Sequence, residues 1–306
     1  MSIHQALSKV KELQTLLLET QDVDERLNLK NKLQSVYQKA YDNMGASDRL
    51  IMARHPHRPK AQQYVDALIT DFHELKGDRQ FRDDPALLAG IGKFMSIPIT
   101  ILAQNKGTTI EEKKARNFGM LHPEGYRKAI RLAKQAEKFK RPILNLIDTS
   151  GAYPGVGAEE RGQGQAIGDC LMTFSDLKVP IISIVIGEGG SGGALALSVA
   201  DRLIMLENAV YSILSPEGFA AILYKDESRV AEATEKMGIT AYDLYEKQII
   251  DHIIKEPVNT IFENFDYVVH QLNNYISQEL KILQSLKTNK LLDLRSKRLR
   301  NWGGQV

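Results

Sequence analysis

The chain opens on an apolar stripe with helical spacing. Ile3, Leu7, Val10, Leu13 and Leu17 recur at intervals of three and four, with lysine and glutamate between them. Asp22-Val23-Asp24 interrupts the stripe, and Leu29, Leu33, Val36 and Ala40 resume it. Residues 1–43 therefore read as two helices in a hairpin arm, each with one apolar face, expected to pack on the chain's own body. Arg54-His55-Pro56-His57-Arg58-Pro59-Lys60 follows. Its two prolines forbid a continuous helix and predict an extended linker. Its two histidines have no third ligand of suitable type nearby, so they do not read as a metal site.

Beyond the linker the pattern becomes that of an α/β body. Ala86–Ile91 and Ile97–Gln104 read as strands, the second rich in β-branched residues. Glu124–Lys140 reads as a helix with Ala129, Ala133, Ala136 and Phe139 on one side and Arg127, Lys128, Arg131, Lys134 and Lys138 on the others. Ile143–Asp148 and Pro180–Ile186 are apolar strands, each running into a glycine-rich turn. Ala166–Leu171 and the small-residue segment Ala194–Ala200 read as helices. Leu203–Leu206 and Val210–Leu214 are short strands ending at Ser215-Pro216-Glu217-Gly218. The apolar runs lack alternation, which predicts strands covered by helices on both faces. From Val230 onward the pattern is helical again. The expected organisation is a helical arm over 1–45, an α/β core over 46–255 and a helical extension over 256–306.

Composition narrows the class. The 306 residues are 25% charged and 43% apolar, which excludes collagen, a disulfide scaffold and wholesale disorder. A lone cysteine, Cys170, can form neither an intramolecular disulfide nor a four-thiolate zinc site. No run of about 18 apolar residues exists to span a membrane. Met1-Ser2-Ile3-His4-Gln5 lacks the regions of a signal peptide, so a cytoplasmic location is expected. The 40 basic and 38 acidic residues conceal an asymmetry: Lys281 to Val306 holds seven basic residues and one acidic. This is not the profile of a general nucleic-acid binder. The tail reads either as a solvated helix end or as a place for a phosphate-rich ligand or acidic partner.

The chemistry concentrates in two turns, Asp148-Thr149-Ser150-Gly151-Ala152-Tyr153-Pro154-Gly155 and Gly187-Glu188-Gly189-Gly190-Ser191-Gly192-Gly193-Ala194. Both follow a buried strand, and the second opens into a helix. Glycine lets backbone amides approach a ligand closely, and the first amides of a helix have no intrahelical partner. Together they make an anion site of backbone, at the positive end of the helix dipole. A phosphate loop would need Gly-Lys-Ser/Thr where Gly193-Ala194 stands. Gly189-x-Ser191-x-Gly193 also satisfies the nucleophile-elbow pattern of a serine hydrolase, with Asp251, His252 and His270 as downstream candidates. A third reading is an oxyanion hole in which Ser191 is only a small residue. Tight helix-on-strand packing explains one glycine of the second turn well and five poorly.

Further segments join these turns in a recognisable order. They are Arg54-His55-Pro56, Gly77-Asp78-Arg79, Asn117-Phe118-Gly119-Met120 and Pro123-Glu124-Gly125-Tyr126-Arg127-Lys128, then Ile147-Asp148-Thr149 with Gly151–Gly155. Gly157-Ala158-Glu159-Glu160-Arg161-Gly162, Ile186–Ala194 and Ser215–Gly218 complete the series. Over roughly residues 50–255 the chain resembles the alpha subunits of the carboxyltransferase of bacterial acetyl-coenzyme A carboxylase, and the helical arms also fit. Ser150 departs from the proline expected before Gly151, and Ile249–Ile254 looks like a modified helix end; neither touches the glycine amides.

The resemblance implies a crotonase-like spiral of repeated ββα units with N- and C-terminal helical extensions. It implies transfer of carboxyl from carboxybiotin, on a biotin carboxyl carrier protein, to acetyl-CoA, giving malonyl-CoA for fatty acid biosynthesis. Another acyl-CoA is the alternative substrate. The backbone amides of Gly192, Gly193, Ala194, Gly151 and Ala152 become candidate oxyanion donors. Tyr153, Pro154, Gly155, Gly189, Gly190 and Ser191 line the biotin-side turns. Arg127, Lys128 and Arg131 form a basic helix face that either contacts phosphate or the carrier, or is simply solvated. Glu188 and Asp148 are expected to be structural, hydrogen-bonded to turn amides. The resemblance places the coenzyme A side and a zinc ribbon on a separate beta chain, in an expected alpha2-beta2 assembly that works with biotin carboxylase. It assigns no metal or covalent cofactor to this chain, and no membrane or specific nucleic-acid partner.

Overall fold

The structure, a computed structural model, describes residues 3–302; Met1, Ser2 and residues 303–306 of the basic tail lie outside the described residues. Among the described residues the strands are β1 (Ile69–Glu74), β2 (Leu87–Phe94), β3 (Ile97–Gln104), β4 (Ile143–Thr149), β5 (Ile181–Gly190), β6 (Arg202–Leu206), β7 (Val210–Ser212) and β8 (His252–Ile254). They form one mixed sheet in the order β1-β2-β3-β4-β5-β6-β8, with β7 paired to the last residues of β5. The first three run antiparallel, and every later neighbour runs parallel. Only Met95 and Ser96 separate β2 from β3, which permits a hairpin, whereas each parallel step needs a crossover. Every residue of β4 and β5 is buried, as their unbroken apolar runs require.

Helices Pro123–Lys138 and Gln163–Asp176 pack on each other over the sheet. Ala129, Leu132, Ala133 and Ala136 of the first and Ala166, Cys170 and Phe174 of the second join the core. Phe139, read as part of that apolar face, is exposed because the helix stops at Lys138. Since β3, β4 and β5 are parallel neighbours, Gln104, Thr149 and Gly190 all end at one edge of the sheet. That edge is where an α/β sheet presents its ligand-binding loops.

The structure departs from the sequence pattern in three places. β5 continues through the glycines to Gly190, held by pairing with Thr149 on one side and β7 on the other. Ile249–Ile254 is not a helix end but contains β8, which pairs with β6 from Ile204 to Leu206. Three strand residues are too few to declare a period. The linker is folded into the body: Arg58 is 1% exposed and its guanidinium forms a two-pronged bond to Glu256, at 2.6 and 3.1 Å, while Nε donates to the Ile186 carbonyl.

The arm forms as read. Helices Ile3–Glu19 and Val23–Asp42 make the hairpin, and Asp22 caps the second by accepting from the Glu25 amide at 2.8 Å. Ile3, Ala6 and Ala40 pack with Met52 of the body. At the other end, helix Phe265–Ser285 sends Val268, Leu272, Ile276 and Leu280 into the main core. Part of the basic tail is internal. Arg295 is 1% exposed, pairs with Asp201 at 2.7 Å, and donates to the carbonyls of Phe174, Leu177 and Val179. Arg298 bonds Asp251.

Removing a buried, fully hydrogen-bonded arginine strands its carboxylate and three carbonyls. Arg295→Ala is expected to lower unfolding free energy by about 3–5 kcal/mol in urea titration. Lys297→Ala, which loses only a surface pair with Asp293, is expected to change it by less than about 0.5 kcal/mol.

Candidate functional site

The two glycine turns meet backbone to backbone. A Cβ placed on Gly190 would lie 2.1 Å from the Ser150 carbonyl oxygen. One on Gly193 would lie 2.3 Å from the Gly151 carbonyl carbon and 2.6 Å from the Ala152 nitrogen. No L side chain fits at either position, so glycine here is a condition of the contact itself. Gly192 differs: its Cβ would meet nothing closer than Ile167 Cδ1, at 3.6 Å. Gly187 and Gly189 are also confined, by the Asp148 carboxylate and the Tyr211 ring.

Helix Ser191–Ser198 begins at this contact, after Gly190, which offers no side chain to cap it. The amides of Ser191, Gly192 and Gly193 precede the first i→i−4 bond and have no acceptor within the helix, whereas Ala194, the fourth residue, opens that ladder on the Gly190 carbonyl. The helix is pinned from beneath by buried polar side chains. Gln104 Nε2 donates to the Gly193 carbonyl at 2.7 Å, and Asn145 and Ser183 both donate to the Leu197 carbonyl. In the first turn the Gly151 amide donates to Thr149 Oγ1 and the Tyr153 amide to the Leu121 carbonyl. The nitrogen between them, on Ala152, is the one that lies against Gly193. Tyr153 lies over Gly155 and its ring meets that of His122, 4.3 Å between centroids; Pro154 is exposed.

Charges are arranged below the turns. Asp148 accepts from the Glu188 amide at 3.0 Å, the structural role expected of it. Glu188 has no such turn amide; it accepts from Arg54 and Lys106, and Arg54 also holds Glu217. Lys106 Nζ stands 2.8 Å from Asp148. Burial works to raise the Asp148 carboxyl, but the Lys106 and Lys60 ammoniums and the Glu188 amide together hold it below the usual carboxylate range. Burial likewise works against the Lys106 ammonium, and Asp148 and Glu188 keep it protonated. Sequence reading did not single out Lys106. Its signal was its place in a polar turn directly after β3, at the same sheet edge as both glycine turns.

Two cavities flank the turns. One, of about 380 Å³, is walled by Ser191, Gly192, Leu195, Tyr211, Ile213 and Trp302, with Ser212, Leu244 and Ile249. Ser191 itself is exposed and has φ +50°, as a nucleophile elbow would require. Among the described residues, nevertheless, no histidine, aspartate or glutamate lines this cavity to act as a base. His252 instead stacks on Tyr275, and Asp251 accepts from the Leu203 amide and from Arg298. The second cavity, of about 430 Å³, is lined by Ser150, Glu188, Arg54, Lys60, Lys106 and Lys113, with Pro56, Phe118 and Met120.

One residue of the basic helix face does not reach the surface. Lys128, a candidate phosphate or carrier contact, is fully buried; its Nζ donates to the Leu87 carbonyl and pairs with Asp83, both at 2.8 Å. Arg127 bonds Asp78 at 2.8 Å, and Arg131 donates to the carbonyls of Lys76 and Gly77. The loop after β1 lies against this helix, and its backbone carbonyls must find donors.

Solved structures of similar fold are carboxyltransferases and a relative of theirs. Transcarboxylase 12S superposes with a TM-score of 0.58 at 18% identity, over 76% of this chain and 45% of that one. The beta subunit of a P. aeruginosa geranyl-CoA carboxylase gives 0.55 at 14%, over 75% and 45%. A Pseudomonas malonate decarboxylase hetero-tetramer in complex with coenzyme A gives 0.55 at 18%, over 70% and 89%. The protein is thus an α/β chain with the crotonase-like fold of the acyl-CoA carboxyltransferases. The particular family follows from sequence. The model described as acetyl co-enzyme A carboxylase carboxyltransferase-like matches residues 1–303, and the chain belongs to that family. The acetyl-coenzyme A carboxylase carboxyl transferase subunit alpha of Alkaliphilus oremlandii is 51% identical over 90% of this chain and 87% of its own length. That of Carboxydothermus hydrogenoformans is 48% identical over 93% and 88%.

The backbone contact predicts which glycines are structural. Gly190→Ala and Gly193→Ala are expected to destabilise the fold by about 3 kcal/mol or more, since the obstructing atoms are main chain. Gly192→Ala has room for its methyl and is expected to leave the melting temperature unchanged or slightly raised. Thermal unfolding of the three variants checks the ordering.

Proposed function

We propose that this chain is the alpha subunit of a biotin-dependent acetyl-CoA carboxyltransferase and supplies the biotin side of an active site completed by a separate beta chain. In the reaction, the N1–carboxyl bond of carboxybiotin breaks, the biotin nitrogen takes the methyl proton of acetyl-CoA, and the resulting carbanion forms the new C–C bond to the released CO2. Product malonyl-CoA carries that carbon as its free carboxylate. The observation that carries the reading is the meeting of the two turns, because it gathers the amides of Gly192, Gly193 and Ala152, residues without titratable side chains, in one place.

Negative charge develops on the ureido oxygen of biotin and on the thioester oxygen of the acetyl group. We assign donors on this chain to the first-turn amides of Gly192 and Gly193, with the Ala152 amide from the other turn; Ala194, expected as a third donor of that helix, spends its amide on the helix ladder. Each preorganised donor of this kind is worth about 2.7–4 kcal/mol of barrier. Gly151, whose amide is held by Thr149, supplies close approach rather than a donor. Tyr153, Pro154, Gly155, Gly189, Gly190 and Ser191 shape the entrance. The proton goes to biotin, so the site needs no protein base, and among the described residues the cavity at Ser191 holds no histidine, aspartate or glutamate. The same lack speaks against the serine-hydrolase reading. The proposal extends to an alpha2-beta2 assembly in the cytoplasm, a zinc ribbon on the beta chain, and a carrier protein charged by biotin carboxylase. It also keeps the division into an arm, a core over 46–255 and an extension. Acetyl-CoA is taken from the relatives' names; another acyl-CoA is the alternative.

Malonyl-CoA formation from carboxybiotin is the assay. Activity is expected only when the beta chain is present, and full turnover by the isolated chain would sink the shared-site reading. Ser191→Ala is expected to keep activity within about threefold. Gly193→Val is expected to lose at least about 10²-fold, the scale of one lost oxyanion donor. Covalent labelling of Ser191 by a serine-directed phosphonate would reverse the choice in favour of a hydrolase.

A further inference from the structure

The second cavity contains more positive charge than its surroundings consume. Arg54 is occupied by Glu188 and Glu217, and Lys106 by Asp148 and Glu188. Lys60 and Lys113 remain. Among the described residues neither ammonium has a carboxylate, carbonyl or hydroxyl partner. Lys113 is half-buried, but Lys60 is only 5% exposed. An unpaired buried ammonium is costly to the fold and persists where a ligand supplies its counter-charge. Removing Lys60 from water is the main cause that lowers its pKa, to about 8; Asp148 opposes this, while Lys106, Arg58 and Lys113 add to it.

The location identifies the ligand's chemistry. The cavity reaches Ser150, the residue before Gly151, so it opens beside the turn contact. Two carboxylates, Asp148 and Glu188, lie under the turns, and the group being transferred is itself a carboxylate, anionic before and after transfer. Backbone amides at the turns are assigned to the ureido and thioester oxygens and leave this third charge unmatched. Lys106 is already spent on the two acids.

We propose that Lys60, aided by Lys113, binds the carboxylate of carboxybiotin and positions it for transfer. This rests on the carboxyltransferase reading above. Lys60 is a positioning residue for the carboxybiotin substrate, and its ammonium forms a charge-assisted hydrogen bond that neutral Lys60 cannot make. Binding is therefore present below the pH at which Lys60 loses its proton and fades above it. The charged groups around that ammonium are Asp148 from β4, Glu188 from the end of β5, Lys106 and Lys113 from the segment after β3, Arg54 from the end of the preceding helix, and Arg58 from its own loop.

The test uses the complex of the full chain with its beta partner and steady-state transfer from free carboxybiotin to acetyl-CoA. Lys60→Met is expected to raise KM for carboxybiotin at least tenfold at pH 7, leaving KM for acetyl-CoA within twofold. Lys113→Met is expected to raise the same constant by a smaller factor. In the wild type, kcat/KM for carboxybiotin is expected to fall tenfold per pH unit above about 8. Lys60→Arg is expected to restore KM and abolish that alkaline limb, because a guanidinium does not titrate there. An unchanged carboxybiotin KM in Lys60→Met overturns the proposal. So does a rise confined to acetyl-CoA, which would place a coenzyme A phosphate in the cavity. A second arm separates this proposal from the activity it rests on: the full chain alone is titrated calorimetrically with malonate. Affinity at least tenfold weaker in Lys60→Met supports a carboxylate site even if the wild-type complex transfers nothing. Equal affinity in both proteins refutes it. Lys60→Met is expected to melt no lower than the wild type, so lost binding cannot be mistaken for lost fold.

Discussion

The rest of the structure depends on two stretches of main chain being allowed to touch. Gly190 against Ser150 and Gly193 against Gly151 bring the ends of β4 and β5 closer than any side chain permits. The sheet must then keep β4 and β5 as parallel neighbours, and their register shifts between Ile147 and Thr149 so that β5 pairs Gly189 with Thr149. The helix that follows must be short and made of small residues, because it begins inside the contact. Gln104, Asn145 and Ser183 meet that requirement with buried hydrogen bonds to the helix carbonyls. A donor array held this way cannot relax toward a neutral substrate, so its dipoles are already aimed when charge appears.

Charge is handled one layer below. Asp148 ties the second turn through the Glu188 amide, and Lys106 neutralises both acids. This is a buried network with its members satisfied, the condition under which such networks rigidify a site. Arg58 extends the same logic outward. It joins the Ile186 carbonyl, just before the second turn, to Glu256 beyond β8, and Glu256 also receives the Asn208 amide. Segments distant in sequence thus hold the base of the turn through two ionised groups that water does not reach.

The parts legible in the sequence were those with a local cause. Unbroken apolar runs announced β3, β4 and β5, and the spacing of Ile3, Leu7, Val10 and Leu13 announced the arm. The turns were visible because so many glycines after a strand have few uses. Short strands were not legible: β8 has three residues and β1 buries only Ile69, so neither shows a period. Side chains whose role depends on a distant partner were also hidden. Lys128 looks like any lysine on a polar helix until the loop carrying Asp83 is laid beside it. Lys60 and Lys106 lie 46 positions apart, and Lys106 acquires meaning only when the fold brings it to Asp148.

Arg295 sets an order on how the molecule can be made. It satisfies the carbonyls of Phe174, Leu177 and Val179 at the end of one core helix, together with Asp201 at the start of β6. All of these are synthesised about a hundred residues before their donor, at the ribosome's pace of some 5–20 residues per second. During that interval this corner of the core has buried acceptors and no guanidinium to meet them. The body can collapse as it emerges, but this polar joint closes only once Arg295 itself has left the ribosome.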